Sequence, residues 1–142
     1  MLPNSASPQL AQLIEAARAA HKNAYGRYSG FSVGAAIRLR DGAIFAGCNV
    51  ENASYGATIC AERNAICAAI AAGGARQIEE IVVVSDGETP WPPCGMCRQF
   101  IAEFAAPDCV VHALGAGDQV RVWKFSALLP DSFGAADMDE AR

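Results

Sequence analysis

The spacing of hydrophobic side chains changes several times along the chain, and each change marks a new element. After Ser7, apolar residues recur every three or four positions up to about Ala24, which predicts an amphipathic helix capped by Ser7. Residues 31–40 have the pattern of a strand, and after an Asp41-Gly42 turn a second strand continues to about Cys48. The chain is therefore predicted to begin with one helix and a β-hairpin.

Helix and strand patterns alternate in the remainder. An Ala-rich helix is predicted from Thr58 or Ile59 to the glycines at 73–74, and its composition suits burial on more than one side. The further predicted elements are a strand around 81–84, a helix from Cys94 through Phe104, and strands at 109–114 and 120–125. This order predicts an α/β fold, a three-layer α/β/α sandwich around a central mixed five-stranded sheet.

Length and composition indicate one domain that buries part of its surface against other subunits. The 142 residues show no repeat or linker, so residues 1–142 are interpreted as a single domain with flexible ends at 1–7 and 135–142. Hydrophobic residues make up 52% of the chain and charged residues only 18%, which is more apolar than a lone small domain needs. An oligomer is therefore expected.

The net charge and the cysteine content limit which classes of partner and which cellular compartment we expect. A net charge of −4 argues against nucleic acid as the main partner, because phosphate contacts need clustered Lys and Arg. The chain shows neither a signal-peptide pattern nor an apolar run long enough to span a membrane, so we expect a cytoplasmic protein without membrane partners. In that setting the six cysteines suggest metal chemistry more than disulfides.

Two short motifs carry the candidate chemistry. Cys60-Ala61-Glu62-Arg63 and Pro93-Cys94-Gly95-Met96-Cys97-Arg98 together supply three thiolates, a carboxylate and arginines, and both are predicted at helix starts. Three protein ligands are typical of a catalytic Zn²⁺, which keeps one position open for water. We interpret Cys60, Cys94 and Cys97 as the ligands of one Zn²⁺ per subunit. Glu62 is then the general acid and base, and Arg63 is placed to hydrogen-bond the ligand sulfurs.

Two simpler interpretations of these cysteines stay open. A redox Cys-x-x-Cys would leave Cys60 without a role. A structural zinc, in a non-catalytic interaction module, would leave Glu62 unexplained and would need a fourth ligand from Cys48, Cys67, Cys109 or His112. The three remaining cysteines lie in apolar stretches and are expected to be small buried hydrophobic residues, and His21 is expected to be exposed or capping.

The motifs resemble those of a known enzyme family. Cys-Ala-Glu-Arg followed by Pro-Cys-Gly-x-Cys-Arg-Gln is similar to the small, homotetrameric, three-cysteine branch of the zinc-dependent cytidine deaminases, over about residues 24–134. The resemblance implies hydrolytic deamination of cytidine and 2′-deoxycytidine to uridine and 2′-deoxyuridine with release of ammonia, a step of pyrimidine salvage. It also implies a homotetramer whose active sites are completed across subunits.

The resemblance further implies roles for residues outside the zinc motifs. Phe31 faces the base, Asn49 and Glu51 hold the ribose 3′-hydroxyl, and the backbone N–H of Ala61 donates to the pyrimidine 2-carbonyl. Phe133 stacks on the base bound in a neighbouring subunit, and Tyr55 is expected at a subunit interface.

Two positions of this chain depart from the family pattern. Arg27 stands where the family usually has Pro, which is expected to loosen the entry loop, and Asn64 stands where Thr is common, close enough to affect how Arg63 is held. A cytosine-containing antibiotic of the blasticidin S type is the alternative substrate. The matches at Asn49, Glu51 and Phe133 favour the simple nucleoside.

Overall fold

A computed structural model describes residues 6–142, and residues 1–5, part of the end expected to be flexible, lie outside it. The elements follow the predicted order. They are α1 (Pro8–His21), β1 (Val33–Leu39), β2 (Ile44–Cys48), a short 3₁₀ helix (Tyr55–Ala57), α2 (Ala61–Ala72), β3 (Ile78–Ser85), α3 (Gly95–Ala102), β4 (Ala105–Leu114), β5 (Val120–Lys124), α4 (Phe125–Leu128) and α5 (Ala135–Glu140).

The five strands form one mixed sheet in the order β2-β1-β3-β4-β5. Strand β3 pairs with β4 in parallel, and the other three pairs are antiparallel. A parallel pair needs a crossover between its strands, and α3 lies in that connection. The central mixed five-stranded sheet is confirmed.

Helices cover the two faces of the sheet. On one face α1 packs Leu13, Ile14 and Ala17 against side chains of β1 and β3. On the other face the larger core joins α2, α3 and α4 to the opposite side chains of the same strands, including Ile66, Ile101 and Phe125. The three-layer α/β/α sandwich is therefore confirmed.

Helix α2 begins two to three residues later than the sequence pattern predicts. Ile59 is held in an extended conformation because it exchanges two backbone hydrogen bonds with Val50, at 2.9 and 3.0 Å. The helix then starts at Ala61 with Cys60 as its N-cap. Pairing with a distant loop segment thus overrides the helical pattern and leaves Cys60 at the helix terminus.

The outer surface of α2 corrects two further predictions. Cys67, Ala68 and Ala71 are exposed in the single chain, so the helix is buried on one side only. Cys67 was expected to be a buried hydrophobic residue, and in the single chain it is exposed. Cys48 is half-buried, and only Cys109 of the three is fully buried. The exposed face is made of small apolar side chains.

A network of polar side chains lies on the face of the sheet that α1 covers, at the part of that face that the helix does not reach. The Glu80 carboxylate bonds the ring of His112 and the guanidinium of Arg38, each at 2.8 Å. These contacts, that of His112 first, hold the pKa of Glu80 below its usual range. His21 likewise has a carboxylate partner, since its Nε2 lies 2.7 Å from Asp86. Both histidines therefore pair with carboxylates.

The C-terminal segment forms a short exposed helix. Residues 135–142, expected to be flexible, contain the exposed helix α5. The start of this helix is held by the Asp137 carboxylate, which accepts from the backbone N–H of Gly134 at 2.7 Å.

Among the helices of residues 6–142, none is both long and apolar enough to cross a membrane.

Gly47 provides a test of the packing between β2 and α2. A Cβ there would lie 2.5 Å from the backbone nitrogen of Ala65 and 2.7 Å from the carbonyl oxygen of Ala61. Gly47→Ala should therefore push α2 off the sheet and lower the free energy of unfolding by about 1–3 kcal/mol, measured by urea denaturation. Gly56→Ala, with no heavy atom within 4 Å, is the matched control. Equal unfolding midpoints for the two variants would contradict this account.

Candidate zinc and substrate site

Three cysteine side chains meet where α2 and α3 begin. Cys60 and Cys94 are the N-caps of the two helices, and Cys97 lies one turn into α3. The three sulfur atoms all lie within 4.8 Å of one another, and those of Cys60 and Cys94 are 3.9 Å apart. A tetrahedral zinc with Zn–S bonds of about 2.3 Å needs sulfurs about 3.8 Å apart. The cluster fits a zinc ion with little rearrangement.

The surroundings of the cluster favour negative charge. The N-terminal ends of α2 and α3 present unpaired N–H groups and the positive ends of their dipoles. The Arg63 guanidinium lies 3.5 Å from the sulfur of Cys60. The pKa of Cys60 is lowered because Cys97 hydrogen-bonds to it and because Arg63 stands beside it. The thiolate of Cys60 is therefore stabilised here, whereas the hydrogen bond to Cys60 and burial raise the pKa of Cys97.

Arg98, the other arginine of the two motifs, contacts backbone oxygens. Its Nε donates to the carbonyl of Pro93 at 2.8 Å, and its Nη1 donates to that of Leu128 at 2.9 Å. Arg98 thereby fixes the turn before Cys94 against the C-terminal end of α4. Its contact with the site is indirect.

Glu62 is a carboxyl group buried at the edge of the cysteine cluster. Only 4% of the residue is exposed, and its Oε2 lies 3.6 Å from the sulfur of Cys97. Burial raises the pKa of this carboxyl above its usual range. A carboxyl in this environment can hold or release a proton beside the cluster.

A cavity of about 240 Å³ opens above Glu62 and the cysteines. The predicted acid and base and four of the predicted substrate contacts line it: Glu62, Phe31, Asn49, Glu51 and Ala61. Cys60 and Cys94 also reach its wall. The structure therefore brings the metal cluster, the proposed acid and base and most predicted substrate contacts to one cavity.

Asn49 and Glu51 also shape the cavity by fixing the loop before β1. The buried Asn49 amide accepts from the backbone N–H of Val33 at 2.8 Å and donates to the carbonyl of Phe31 at 3.0 Å. Glu51 accepts from the N–H groups of Tyr28 and Ser29 at 2.8 and 2.9 Å, and from the Ser29 hydroxyl. The Ser29 hydroxyl contributes most to the lowered pKa of Glu51.

The two departures from the family pattern lie beside this framework. Arg27 is exposed, but the next two residues of its loop are tied to Glu51. Asn64 donates from its amide to the carbonyl of Cys48 at 2.8 Å, so it joins α2 to the end of β2. Its hydrogen bond is to Cys48 and not to Arg63, the residue that it was expected to influence.

Phe133 lies away from the cavity of its own chain. It is 59% exposed and lines a separate shallow depression beside Gln99, whose side-chain amide donates to the Phe133 carbonyl at 3.0 Å. The structure of one chain therefore does not bring Phe133 to the other predicted substrate contacts.

Sequence reasoning missed Trp91 and Ser85, which both line the cavity. The Trp91 ring stands edge-to-face against Phe31, with centroids 5.2 Å apart and planes at 88°. The position of Trp91, three residues before Cys94, could have indicated that it lies at the cavity. Ser85 gives no local signal, since it is a small polar residue at the end of a strand, directly after the apolar run 81–84.

The structural-zinc interpretation finds no fourth ligand. Within residues 6–142, Cys60, Cys94 and Cys97 form the only group of three or more potential metal ligands, and the suggested fourth ligands are outside it. His112 belongs to the network around Glu80. The donor set is therefore of the catalytic kind, with three protein ligands.

Comparisons with known proteins agree with this geometry. Residues 7–113 match the family described as the cytidine and deoxycytidylate deaminase zinc-binding region. The chain is 44% identical over 128 residues to a cytidine deaminase of Halalkalibacterium halodurans, covering 90% of this chain and 96% of that protein.

Solved structures give the same result. The fold matches the cytidine deaminase of Burkholderia pseudomallei with a TM-score of 0.81 and 48% identity, over 87% of this chain and 98% of that one. It matches the cytidine deaminase of Mycobacterium tuberculosis with a TM-score of 0.76 and 38% identity, over 88% of this chain and 97% of that one. Together with the three-cysteine cluster, the matched zinc-binding region identifies zinc as the cofactor. The chain belongs to the cytidine and deoxycytidylate deaminase family.

Proposed function

We propose that this protein catalyses the zinc-dependent hydrolytic deamination of cytidine and 2′-deoxycytidine to uridine and 2′-deoxyuridine with release of ammonia, a step of pyrimidine salvage. The observation that carries the proposal is the buried Glu62 carboxyl beside three clustered cysteines at the floor of one cavity. The names of the 40–44% identical relatives, all cytidine deaminases, support the same reaction.

Cys60, Cys94 and Cys97 would hold the metal, and Glu62 would move the protons. When bound, zinc supplies the Lewis acidity that lowers the pKa of the attacking water. Glu62 accepts a proton from that water and delivers it to ring N3, while the water oxygen forms its bond to C4. It then carries the second proton to the amino nitrogen, and the C4–N bond breaks to release ammonia. The buried position of Glu62 keeps bulk water away from these transfers.

The remaining lining residues would hold the nucleoside. The Ala61 N–H, one of the free donors at the start of α2, would bind the 2-carbonyl of the base. Phe31 would pack on the ring, and Asn49 and Glu51 would receive the ribose hydroxyl while anchoring the entry loop. Because the loop is already tied to Glu51, Arg27 is compatible with an ordered ribose site.

We also propose a homotetramer whose sites are completed across subunits. Large exposed hydrophobic side chains cluster in the two loops around the cavity mouth: Tyr25, Tyr28, Phe31, Val50, Tyr55 and Ile59. The small apolar face of α2 is exposed as well. In such an assembly Phe133, which is exposed and away from the cavity of its own chain, would reach the cavity of another chain. None of the six cysteines forms a disulfide, which supports a cytoplasmic location.

Replacing Glu62 tests the reaction and its proton carrier together. Glu62→Gln keeps the size of the side chain but removes its ability to accept a proton. We expect a loss of kcat of about 10²–10⁴-fold, with one zinc per chain retained. The assay follows the ultraviolet absorbance of cytidine, 2′-deoxycytidine and blasticidin S. Glu103→Gln, at an exposed position after α3, is the control.

The outcomes of this assay are distinct. Turnover of blasticidin S alone by the wild-type enzyme would replace the proposed substrate, whereas failure on all three compounds would favour a non-catalytic zinc module. A fully active Glu62→Gln variant would assign the proton transfers to another group.

Replacing single cysteines tests the ligand set. Cys94→Ser removes a thiolate but leaves a good helix N-cap, so α3 should still form. We expect the zinc content of the purified protein to fall well below one per chain, measured by atomic emission. Cys67→Ser changes an exposed cysteine outside the cluster and should keep full zinc. Full zinc in Cys94→Ser would refute the proposed ligands.

The cross-subunit role of Phe133 can be tested with mixed oligomers. Light scattering should give four times the 14.8 kDa chain mass. Phe133→Ala should weaken transition-state binding by about 1–3 kcal/mol, the usual value of aromatic stacking on a base. Co-expressed Glu62→Gln and Phe133→Ala chains should regain activity, because some sites then combine an intact Glu62 and an intact Phe133. Hybrids no more active than the separate variants would show that each site uses one chain.

A further inference from the structure

One buried hydroxyl group in the cavity has no assigned role. Ser85 is 3% exposed and lines the cavity, yet its Oγ, which is closed to solvent, has no hydrogen-bond partner within residues 6–142. Buried hydroxyl groups are almost always hydrogen-bonded, so an unpaired one inside a cavity indicates a partner that enters with the contents of the cavity. The Ser85 hydroxyl therefore keeps an unused donor and acceptor at the cavity wall.

The wall around Ser85 is otherwise apolar and rigid. Ser85 ends β3 directly opposite Val33 in β1. Trp91 is held close by, because its indole ring fits against Gly87, where an added Cβ would lie 2.3 Å from Nε1. The ring also packs on Phe31. The Ser85 hydroxyl is thus set among valine and aromatic side chains, with the Trp91 Nε1 held against Gly87.

The chemistry of the proposed reaction decides which part of the base faces this wall. N3 and C4 must point to Glu62 and the cysteines, O2 to the Ala61 N–H, and the ribose on N1 to Asn49 and Glu51. Only the C5–C6 edge of the pyrimidine is then without a partner. The lining residues without a proposed role are Val33, Thr58, Val83, Ser85, Trp91 and Pro92, and four of them, Val33, Val83, Ser85 and Trp91, form the wall described above.

We propose that Ser85 and Trp91 form a subsite for the substituent at C5 of the pyrimidine, and that the Ser85 hydroxyl makes this subsite favour a polar substituent over an apolar one of similar size. The inference rests on the proposed function, because that function orients the ring. Ser85 is thereby a specificity-determining residue, and the hydroxyl group that is unpaired in the free protein is satisfied by the substrate.

The test compares two nucleosides that differ by one oxygen atom. Values of kcat/KM are measured for cytidine, 5-methylcytidine and 5-hydroxymethylcytidine with the wild-type enzyme and Ser85→Ala. We expect Ser85→Ala to lower the ratio of 5-hydroxymethylcytidine to 5-methylcytidine by roughly three- to tenfold, the range for one neutral hydrogen bond. Val83→Ala, which enlarges the same cavity without removing a polar atom, should change that ratio less than twofold.

Thermal unfolding separates this role from a structural one. Since the hydroxyl has no hydrogen-bond partner in the part of the chain that the structure describes, Ser85→Ala should unfold at the same or a higher temperature than the wild-type protein. An unchanged ratio in Ser85→Ala, a lowered unfolding temperature, or turnover of cytidine without turnover of either 5-substituted nucleoside would overturn the proposal. No turnover of cytidine itself would instead reject the proposed function, and the subsite with it.

Discussion

Three thiolates brought together in one place repel each other, and the fold around the site is organised to offset that repulsion. The two helices that supply the ligands both begin at the cluster, so their positive ends face the sulfurs. Arg63 adds a full positive charge beside Cys60. The sheet enforces this arrangement, because α2 and α3 pack on the same face of β1, β3 and β4. Metal site, cavity and helix placement are therefore one structural unit.

The second feature of the site is that its polar residues serve two purposes. Asn49 and Glu51 line the cavity, but they also hold the backbone that carries Phe31. A substituted side chain at either position would therefore change both the ribose contacts and the shape of the base pocket. Loss of activity in such variants would not by itself identify a direct contact with the substrate.

Much of this structure could be predicted from the sequence, and the exceptions share a physical cause. The periodicity of apolar residues located every strand and the three longer helices, and the spacing of Cys60, Cys94 and Cys97 predicted their cluster. Predictions were wrong where distant segments interact. Because Ile59 pairs with Val50, α2 begins later in the chain than predicted. The environment of Cys67 depends on what covers the outer face of α2. The unpaired hydroxyl of Ser85 exists only once two strands and a loop enclose it.

The position of the ligands along the chain has a consequence for folding. Cys60 and Cys94 are 34 residues apart, and the segment between them contains β3, the central strand of the sheet. An ion that joins the two cysteines closes this loop and acts as a cross-link that only the native topology can satisfy. The unfolded chain must bear the entropic cost of loop closure to hold the same ion, so metal occupancy biases the equilibrium toward the folded state. Availability of the ion during synthesis thus becomes a determinant of how much folded protein accumulates.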